Sequence, residues 1–560
     1  MNTIQKIKIR EGFGWKLYEI NSIKIWFSGY LTNGKNIEGV LLDIASFPSM
    51  DFLNIEYLSK WLLSFSGNFA FVIKFSDDSC FLAVDKICSI PIFDVTKGNR
   101  YAVSNYAPYL KEMFDMDNSN VSLQSLLEIS MSGFCIGNKS IYRDINRLMA
   151  GECIFWNHGK KYKNYYYTYF PFNDLKYSYN ELKNEFTKVC LTTISKLIKS
   201  VNGRQIVVPL SAGNDSRLIA SCLRKLSYEN VVCFTYGRRG TYEVNTSKKV
   251  AYRLGYKWLY LQDTIRKKRA FFKSDVYGEY VKMFESYASV PNIQDVYEIY
   301  TLKDKNIIND DAVIVNGNSG DFISGGHIPD TLELSEKFAA DDNIKWELFL
   351  EKHYSIWKKL RTTLSDKIIT SELLKIVSDR FQSDKKNVLF SYSVIEGMEC
   401  IGRQSRLVAN QQRSYEFSGY EWRLPLWSED FLEFWESVPP QYKVKQLLYK
   451  DVLMENNWGG AWKDIDVNNK IIKPYNLRFF RLFLKVLISP FGKKAWHRIE
   501  KNVFYYWMHQ SYAVTIVPYW KSLFDMNGQR NINSWTSDQF IKKHGFKGVL
   551  DVYKKIKNRR

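Results

Sequence analysis

The sequence predicts an α/β chain of several domains: a two-sheet α+β domain first, then a parallel sheet with crossover helices, then a helical, basic carboxyl-terminal extension. Three observations carry this. At 560 residues the chain exceeds what one hydrophobic core organises. Short β-branched and aromatic runs broken by Gly, Asn and Asp dominate residues 1–172, whereas strand and helix signals alternate over 178–470. Finally, the net charge of +20 is uneven, because residues 471–560 hold 18 Lys and Arg against 4 Asp and Glu.

In chain order, the first domain reads as strands at "KIKIR", "IKIWFSGYL", "GNFAFVIKF", "CFLAVDK", "IPIFDV", "RYAVSN" and "GECIFWNHGKKYKNYYYTY". From Asn180 the pattern turns helical, with "NELKNEFTKVCLTTISKLIKSV" leading to a strand at Ile206–Leu210. A helix at Arg217–Leu226, a strand at Val231–Tyr236, a helix at Glu243–Leu254 stopped by Gly255, and a strand at Trp258–Leu261 follow. Ala312–Val315 adds a strand that runs into the glycine-rich "NGNSGDFISGG". Parallel sheets bind ligands at the carboxyl ends of their strands, so the turns after Leu210 and Val315 are expected to face one crevice.

Composition narrows the function classes. No uncharged apolar run reaches 18 residues, and "MNTIQKIKIREGFGWK" lacks the apolar stretch of a secretory leader, which predicts a cytoplasmic protein. The eight cysteines are scattered without a CxxC pair and read as reduced structural thiols, and six histidines without HExxH argue against zinc. The basic tail points to an acidic partner or a membrane surface, with peripheral attachment at the inner face of a membrane, or to solvated helices; nucleic acid is not favoured. "LRFFRLFLKVLISPFGKKAWHRI" mixes aromatic and basic residues as an interfacial helix does, and as a bundle helix also would.

The stretch "VVPLSAGNDSRLIASCLRKL" carries the chemistry. A helix starting after the turn leaves backbone N–H groups unpaired and its positive dipole end facing that turn, which suits an anion. Gly213 permits close approach, Ser211 and Ser216 offer hydroxyls, and Asp215 implies a cation between itself and the anion. A polyphosphate with magnesium satisfies all of these, and an ordinary Asp/Ser helix cap satisfies the local pattern as well.

Neither GxxxxGK[ST] nor GxGxxG follows the Ile206 strand. Ser-Ala-Gly-Asn-Asp-Ser resembles the SGGxDS pyrophosphate loop of the ATP pyrophosphatase group, in particular the asparagine synthetase family, with Ala212 in place of the first glycine. "CFTYGRRGTYEVNTSKKVAYRLGY" resembles the family's second strand and helix. "NGNSGDFISGGH" resembles, without gaps, its Ser-Gly-Glu-Gly-Ser-Asp-Glu-x-x-Gly-Gly-Tyr loop, and "GYEWRLPLWSEDFLEFWESVPPQYKVKQLLYKDVL" its Glu-x-Arg-x-Pro segment and lysine-bearing helix. Upstream, "LLSFSGNFAFVIKFSDDSCFLAVDKICSIPIFDV" is similar to the family's amino-terminal glutaminase domain.

The resemblance implies an Ntn-like first domain followed by an ATP pyrophosphatase (adenine nucleotide α-hydrolase-like) domain, and an AMP-forming ligase. Such an enzyme uses ATP and Mg2+ to adenylate a carboxylate, which ammonia or an amine then attacks. Carried over by position, Ser211, Gly213, Asp215 and Ser216 hold pyrophosphate, and Asp215 and Asp321 share magnesium. Leu210, Tyr236, Asn316 and Gly317 line the AMP site, and Lys445 stabilises charge near the adenylate. Arg423 reads as either a site or an ion-pair arginine, and Glu243 as either a cap or a nucleotide contact.

Departures from the family pattern shape the expectation further. Residue 2 is Asn2 where the glutaminase nucleophile is a cysteine, so no glutamine hydrolysis is expected. Asn318 and Ser428 replace carboxylates of the family's acceptor side, which leaves the carboxylate substrate and the amine open. A nucleotide-binding scaffold without catalysis is the alternative, and a tRNA-thiolation enzyme ranks lower for want of paired cysteines.

Overall fold

The computed structural model describes residues 4–559 apart from 33–35, 49–52, 99, 158, 172–176, 330–331, 333, 335–336, 339–342, 382–390, 466–474, 505–519 and 521–531. The expected domain boundaries at 172 and 470 fall outside the described residues. Ten strands form the first region: β1 (Ile4–Ile7), β2 (Lys16–Ile20), β3 (Ile23–Leu31), β4 (Gly67–Lys74), β5 (Cys80–Val84), β6 (Phe93–Lys97), β7 (Arg100–Ser104), β8 (Ile145–Arg147), β9 (Glu152–Asn157) and β10 (Lys160–Tyr165).

They pair into a four-stranded sheet, β1-β7-β6-β8, and a six-stranded sheet, β10-β9-β5-β4-β3-β2. Alternation along β4 and β5 sends Ala70, Val72, Leu82 and Val84 into a core shared with Val95, Tyr101 and Val103 of the other sheet. Tyr101 stacks on Trp156 there at 4.9 Å. The opposite faces of β4 and β5, with β9 beside them, place Phe71, Ile73, Phe81 and Phe155 against helices Ile37–Ala45 and Ile55–Leu62. The first strand is Ile4–Ile7 rather than "KIKIR", because β1 pairs in parallel with β7 in that register.

Helices Ile37–Ala45, Ile55–Leu62, Ala107–Met113 and Leu123–Ser132 lie in the region read as strands. Three of them begin at a side-chain cap, from Asn36, Asn54 and Ser122. They are short, so their periodicity is hidden among aromatic residues.

The second region opens with the helix Tyr179–Val201, whose capping box joins Ser178 and Glu181. Five strands follow: β11 (Ile206–Pro209), β12 (Val231–Gly237), β13 (Lys257–Gln262), β14 (Val313–Val315) and β15 (Glu421–Arg423). They form one sheet, β13-β12-β11-β14-β15, parallel throughout. The helix Asp215–Lys225 buries Leu218, Ile219, Cys222 and Leu223. The helix Tyr242–Leu254 ends at Gly255 in the left-handed conformation.

The two regions are clamped together. Tyr30 of β3 donates to Asn68 (2.6 Å) and accepts from the backbone of Leu424 (2.9 Å), while the Arg423 guanidinium lies 4.2 Å over its ring. Ser66 and Lys86 both hold Glu429. Two late helices, Ile532–Lys543 and Val549–Asn558, join the main core through Trp535, Phe540, Ile541 and Val552. All eight cysteines are free and buried, and no helix among the described residues is long and apolar enough to cross a membrane.

Candidate active site

Strands β11 and β14 are hydrogen-bonded neighbours, so the loops leaving their carboxyl ends emerge side by side. The first loop folds on its own hydroxyls. Ser216 Oγ accepts from the Ser211 backbone (3.0 Å) and meets Ser211 Oγ at 3.1 Å, and Ser211 Oγ accepts from Gly213 N–H (3.1 Å). Buried Arg217 donates to the carbonyl of Ala212 (3.0 Å) and to those of Ala461 and Ile465, pinning the loop from behind. Ala212 N–H reaches Glu243 at 3.4 Å, so Glu243 touches the loop while Thr241 occupies the cap position of its helix. Asn214 precedes the helix without a side-chain capping bond, leaving the helix start to its backbone groups.

The second loop presses on the first. A Cβ on Gly317 would stand 2.7 Å from Ser216 N and 2.8 Å from the Asp215 carbonyl carbon, so glycine alone allows this approach. Asp321 N–H donates to Asp215 Oδ2 (3.0 Å), and Tyr449 donates to Oδ1 (2.9 Å). Two carboxylates 106 positions apart thus share one corner. Burial, and then the charge of Asp321, push the Asp215 carboxyl up to about 7. Desolvation also works to raise Asp321, but the hydrogen bond and charge of His327 outweigh it and hold this carboxyl below its usual range.

His327 is the residue that sequence reasoning passed over. Its Nε2 lies 3.3 Å from Asp321 and its Nδ1 2.5 Å from buried Glu399, whose other oxygen lies 3.3 Å from His353 Nε2. Burial alone would lower His327, yet its bonds to Asp321 and Glu399 dominate and raise it to about 9. His327 stood in the quoted loop. Glu399 comes from a distant helix and carries no local signal.

The remaining sequence candidates divide into two groups. Leu210 is buried, its N–H bonded to Phe234 and its carbonyl accepting from Thr235 Oγ1 (2.6 Å), so it shapes the sheet end beneath the loop. Tyr236, at the end of β12, donates to Asp295 (2.6 Å), and Asn316 donates to Tyr415 (3.1 Å). These two belong to one network, since Asp295 also accepts from Tyr415 (2.9 Å) and Gln411 (2.5 Å), and Asn318 donates to Gln411 (2.7 Å). Burial is the main force raising Asp295 to about 6, against the bond from Tyr236. Asp295, Gln411 and Tyr415 lay outside every motif, and only the fold joins them.

Lys445 is exposed in a left-handed turn, and its neighbour Gln446 donates to Ser324 of the second loop (2.7 Å). Lys443 turns inward instead: fully buried, it pairs with Glu396 at 2.7 Å. Gly325, itself left-handed, rests against the Lys443 backbone, where a Cβ would come within 2.4 Å of the carbonyl oxygen.

Two residues read as departures or ambiguities acquire structural roles. Ser428 caps the helix Glu429–Ser437 through Phe431 N–H and contacts Thr193, a cap that aspartate would make equally well. Buried Arg423 donates to Ser200 and Trp422 carbonyls and pairs with Glu421, which makes it a clip at the sheet edge.

Residues 198–456 match the family described as asparagine synthase. No curated protein matches the chain. A solved structure similar to part of it is the NH3-dependent NAD synthetase from Campylobacter jejuni subsp. jejuni NCTC 11168 in complex with the nitrate ion. That likeness has 14% identity, covers 42% of this chain and 96% of that one, and has a TM-score of 0.19.

Proposed function

We propose, from the match of residues 198–456 to the asparagine synthase family, that the protein joins a carboxylate to ammonia or an amine, converting ATP to AMP and pyrophosphate. In that reaction a substrate carboxylate oxygen attacks the α-phosphorus and the bond to pyrophosphate breaks. The amine nitrogen then attacks the acyl carbon, AMP leaves, and a proton is released.

The observation that carries this reading is the corner where Asp215 and Asp321 meet beside the Ser211–Ser216 loop. Two carboxylates meeting in one corner, with Asp215 raised by burial and by the charge of Asp321, fit magnesium, which takes one or two carboxylates together with phosphate oxygens. Tyr449 and the Asp321 N–H each use one lone pair of Asp215, so both of its oxygens retain acceptor capacity. Magnesium, when bound, would neutralise the triphosphate and the departing pyrophosphate.

The chain's own groups do the rest. Ser211, Gly213 and Ser216 offer hydroxyl and backbone donors to pyrophosphate, and Leu210, Tyr236, Asn316 and Gly317 border the nucleotide. His327, protonated between Asp321 and Glu399, holds positive charge beside the carboxylate pair, and Lys445 adds a second cation from the facing turn. Every cysteine of the chain is buried, with Cys80 and Cys153 inside the six-stranded sheet, which supports a reading without a cysteine nucleophile for glutamine. Ammonia or an amine from elsewhere is the nucleophile in this reading.

ATP–pyrophosphate exchange tests it, run without glutamine against aspartate, glutamate, uronic acids and short acidic peptides. Exchange with one acid, lost in Asp215→Ala, is the expected result. ATP binding without exchange on a broad panel would favour a nucleotide-binding scaffold.

A further inference from the structure

The helix Tyr475–Ile488 is followed by a tight turn, Ser489–Phe491, and a second helix, Gly492–Ile499. The pair holds itself together: Arg481 bonds Glu500 and lies 5.3 Å over Trp496, and Phe480 meets Phe504 at 5.9 Å. One side of the first helix is partly covered, and it carries Leu477, Arg481, Leu484 and Ile488 at helical spacing.

The other side is apolar and exposed. Phe479 is 78% exposed, Phe483 60% and Val486 65%, with Phe480, Leu482 and Leu487 beside them and Phe491 at 77% on the turn. At ~100° per residue, the six helical positions span an arc of about 160°. Elsewhere among the described residues, large exposed apolar side chains stand dispersed along the chain, at Leu42, Leu63, Tyr162 and Tyr252 for example. A contiguous patch of this kind marks an interaction surface.

Charge indicates what covers it. No Asp or Glu occurs from Tyr475 to Ile499, whereas Arg478 and Lys485 border the apolar arc and Lys493, Lys494 and Arg498 follow on the second helix. We infer that this helix pair docks on an anionic lipid bilayer, the phenylalanines and leucines entering the acyl boundary and the cations lying on headgroups. The face is convex and wide, which suits a fluid surface better than the narrow seam of a helical partner. A 14-residue helix, at ~1.5 Å per residue, reaches about 21 Å and falls short of the ~30 Å hydrocarbon core, so it lies in the interface. This inference is independent of the proposed reaction.

The test is flotation of the full-length chain with vesicles of phosphatidylcholine containing 30% phosphatidylglycerol, against pure phosphatidylcholine vesicles, at low and high salt. The expected result is partition onto the anionic vesicles that weakens with salt and is lost in Phe479→Asp/Phe483→Asp. Lys485→Gln and Lys493→Gln should each lower it by about fivefold. Both kinds of position are on the surface, so circular-dichroism melting should match the parent. Absence of partition by the parent, or equal partition by the double variant, overturns the inference. So does a parent that stays off vesicles but forms a dimer which Phe479→Asp/Phe483→Asp dissociates, since the face would then be covered by a second copy.

Discussion

Replacing Gly317 by alanine adds a single carbon where the loops after β11 and β14 touch. The added Cβ would meet Ser216 N at 2.7 Å, the Asp215 carbonyl carbon at 2.8 Å and Asp215 Cβ at 2.9 Å, against an ordinary contact of 3.4–4 Å. Two of the three neighbours are backbone atoms at the start of a buried helix, so they cannot swing aside, and one loop must retreat by about 0.7 Å. Gly317 does not have a positive φ, so alanine brings no dihedral strain and the whole effect is steric. Overpacking of this kind costs ~1–3 kcal/mol of stability. A shift approaching 1 Å at a reacting centre costs roughly 100-fold in rate. Urea denaturation, ATP affinity by calorimetry and ATP–pyrophosphate exchange should therefore all fall in Gly317→Ala. Gly213→Ala is the control, because its Cβ would meet only Ser211 Oγ, at 3.3 Å. It should keep its stability and lose nucleotide affinity alone. A Gly317→Ala protein with parental stability and parental ATP affinity would refute the account of the two-loop site.

Three further outcomes are expected. Tyr449→Phe removes the donor to Asp215 Oδ1, and exchange should fall about tenfold with a stability loss of ~1 kcal/mol, read by parallel kinetics and melting. Lys443→Met leaves buried Glu396 without its cation and should destabilise by about 3–5 kcal/mol in urea, with Lys443→Met/Glu396→Leu recovering most of that loss. Glu436 is buried and raised to about 7 by desolvation, despite the bond from Phe170 N–H; the folded state therefore holds a proton that the unfolded state releases near 4.5. Its contribution to stability falls as pH rises from about 4.5 through 7, by ~3 kcal/mol at pH 8, so Glu436→Gln should raise the melting temperature at pH 8 and leave it unchanged at pH 4.

What the sequence by itself determined is what local chemistry writes into consecutive residues. The strands read at Ile206–Leu210 and Val231–Tyr236 and the helices after them follow from periodicity, and Gly255 and the glycine-rich turns mark where they stop. Both loops were legible for the same reason, since a parallel strand must end in a turn at the ligand-binding edge. The tertiary structure decided everything that depends on contact between distant segments. Nothing in either loop states that Asp321 N–H meets Asp215, that Glu399 orients His327, or that Gln411 and Tyr415 converge on Asp295. It also decided that Lys443 turns inward while Lys445 stays exposed, because a left-handed turn at Lys445 and Gln446 sets their directions. The aromatic, basic helix near residue 480 shows the division most simply. Its composition suits a bundle or an interface equally, and only packing reveals which of its faces is covered.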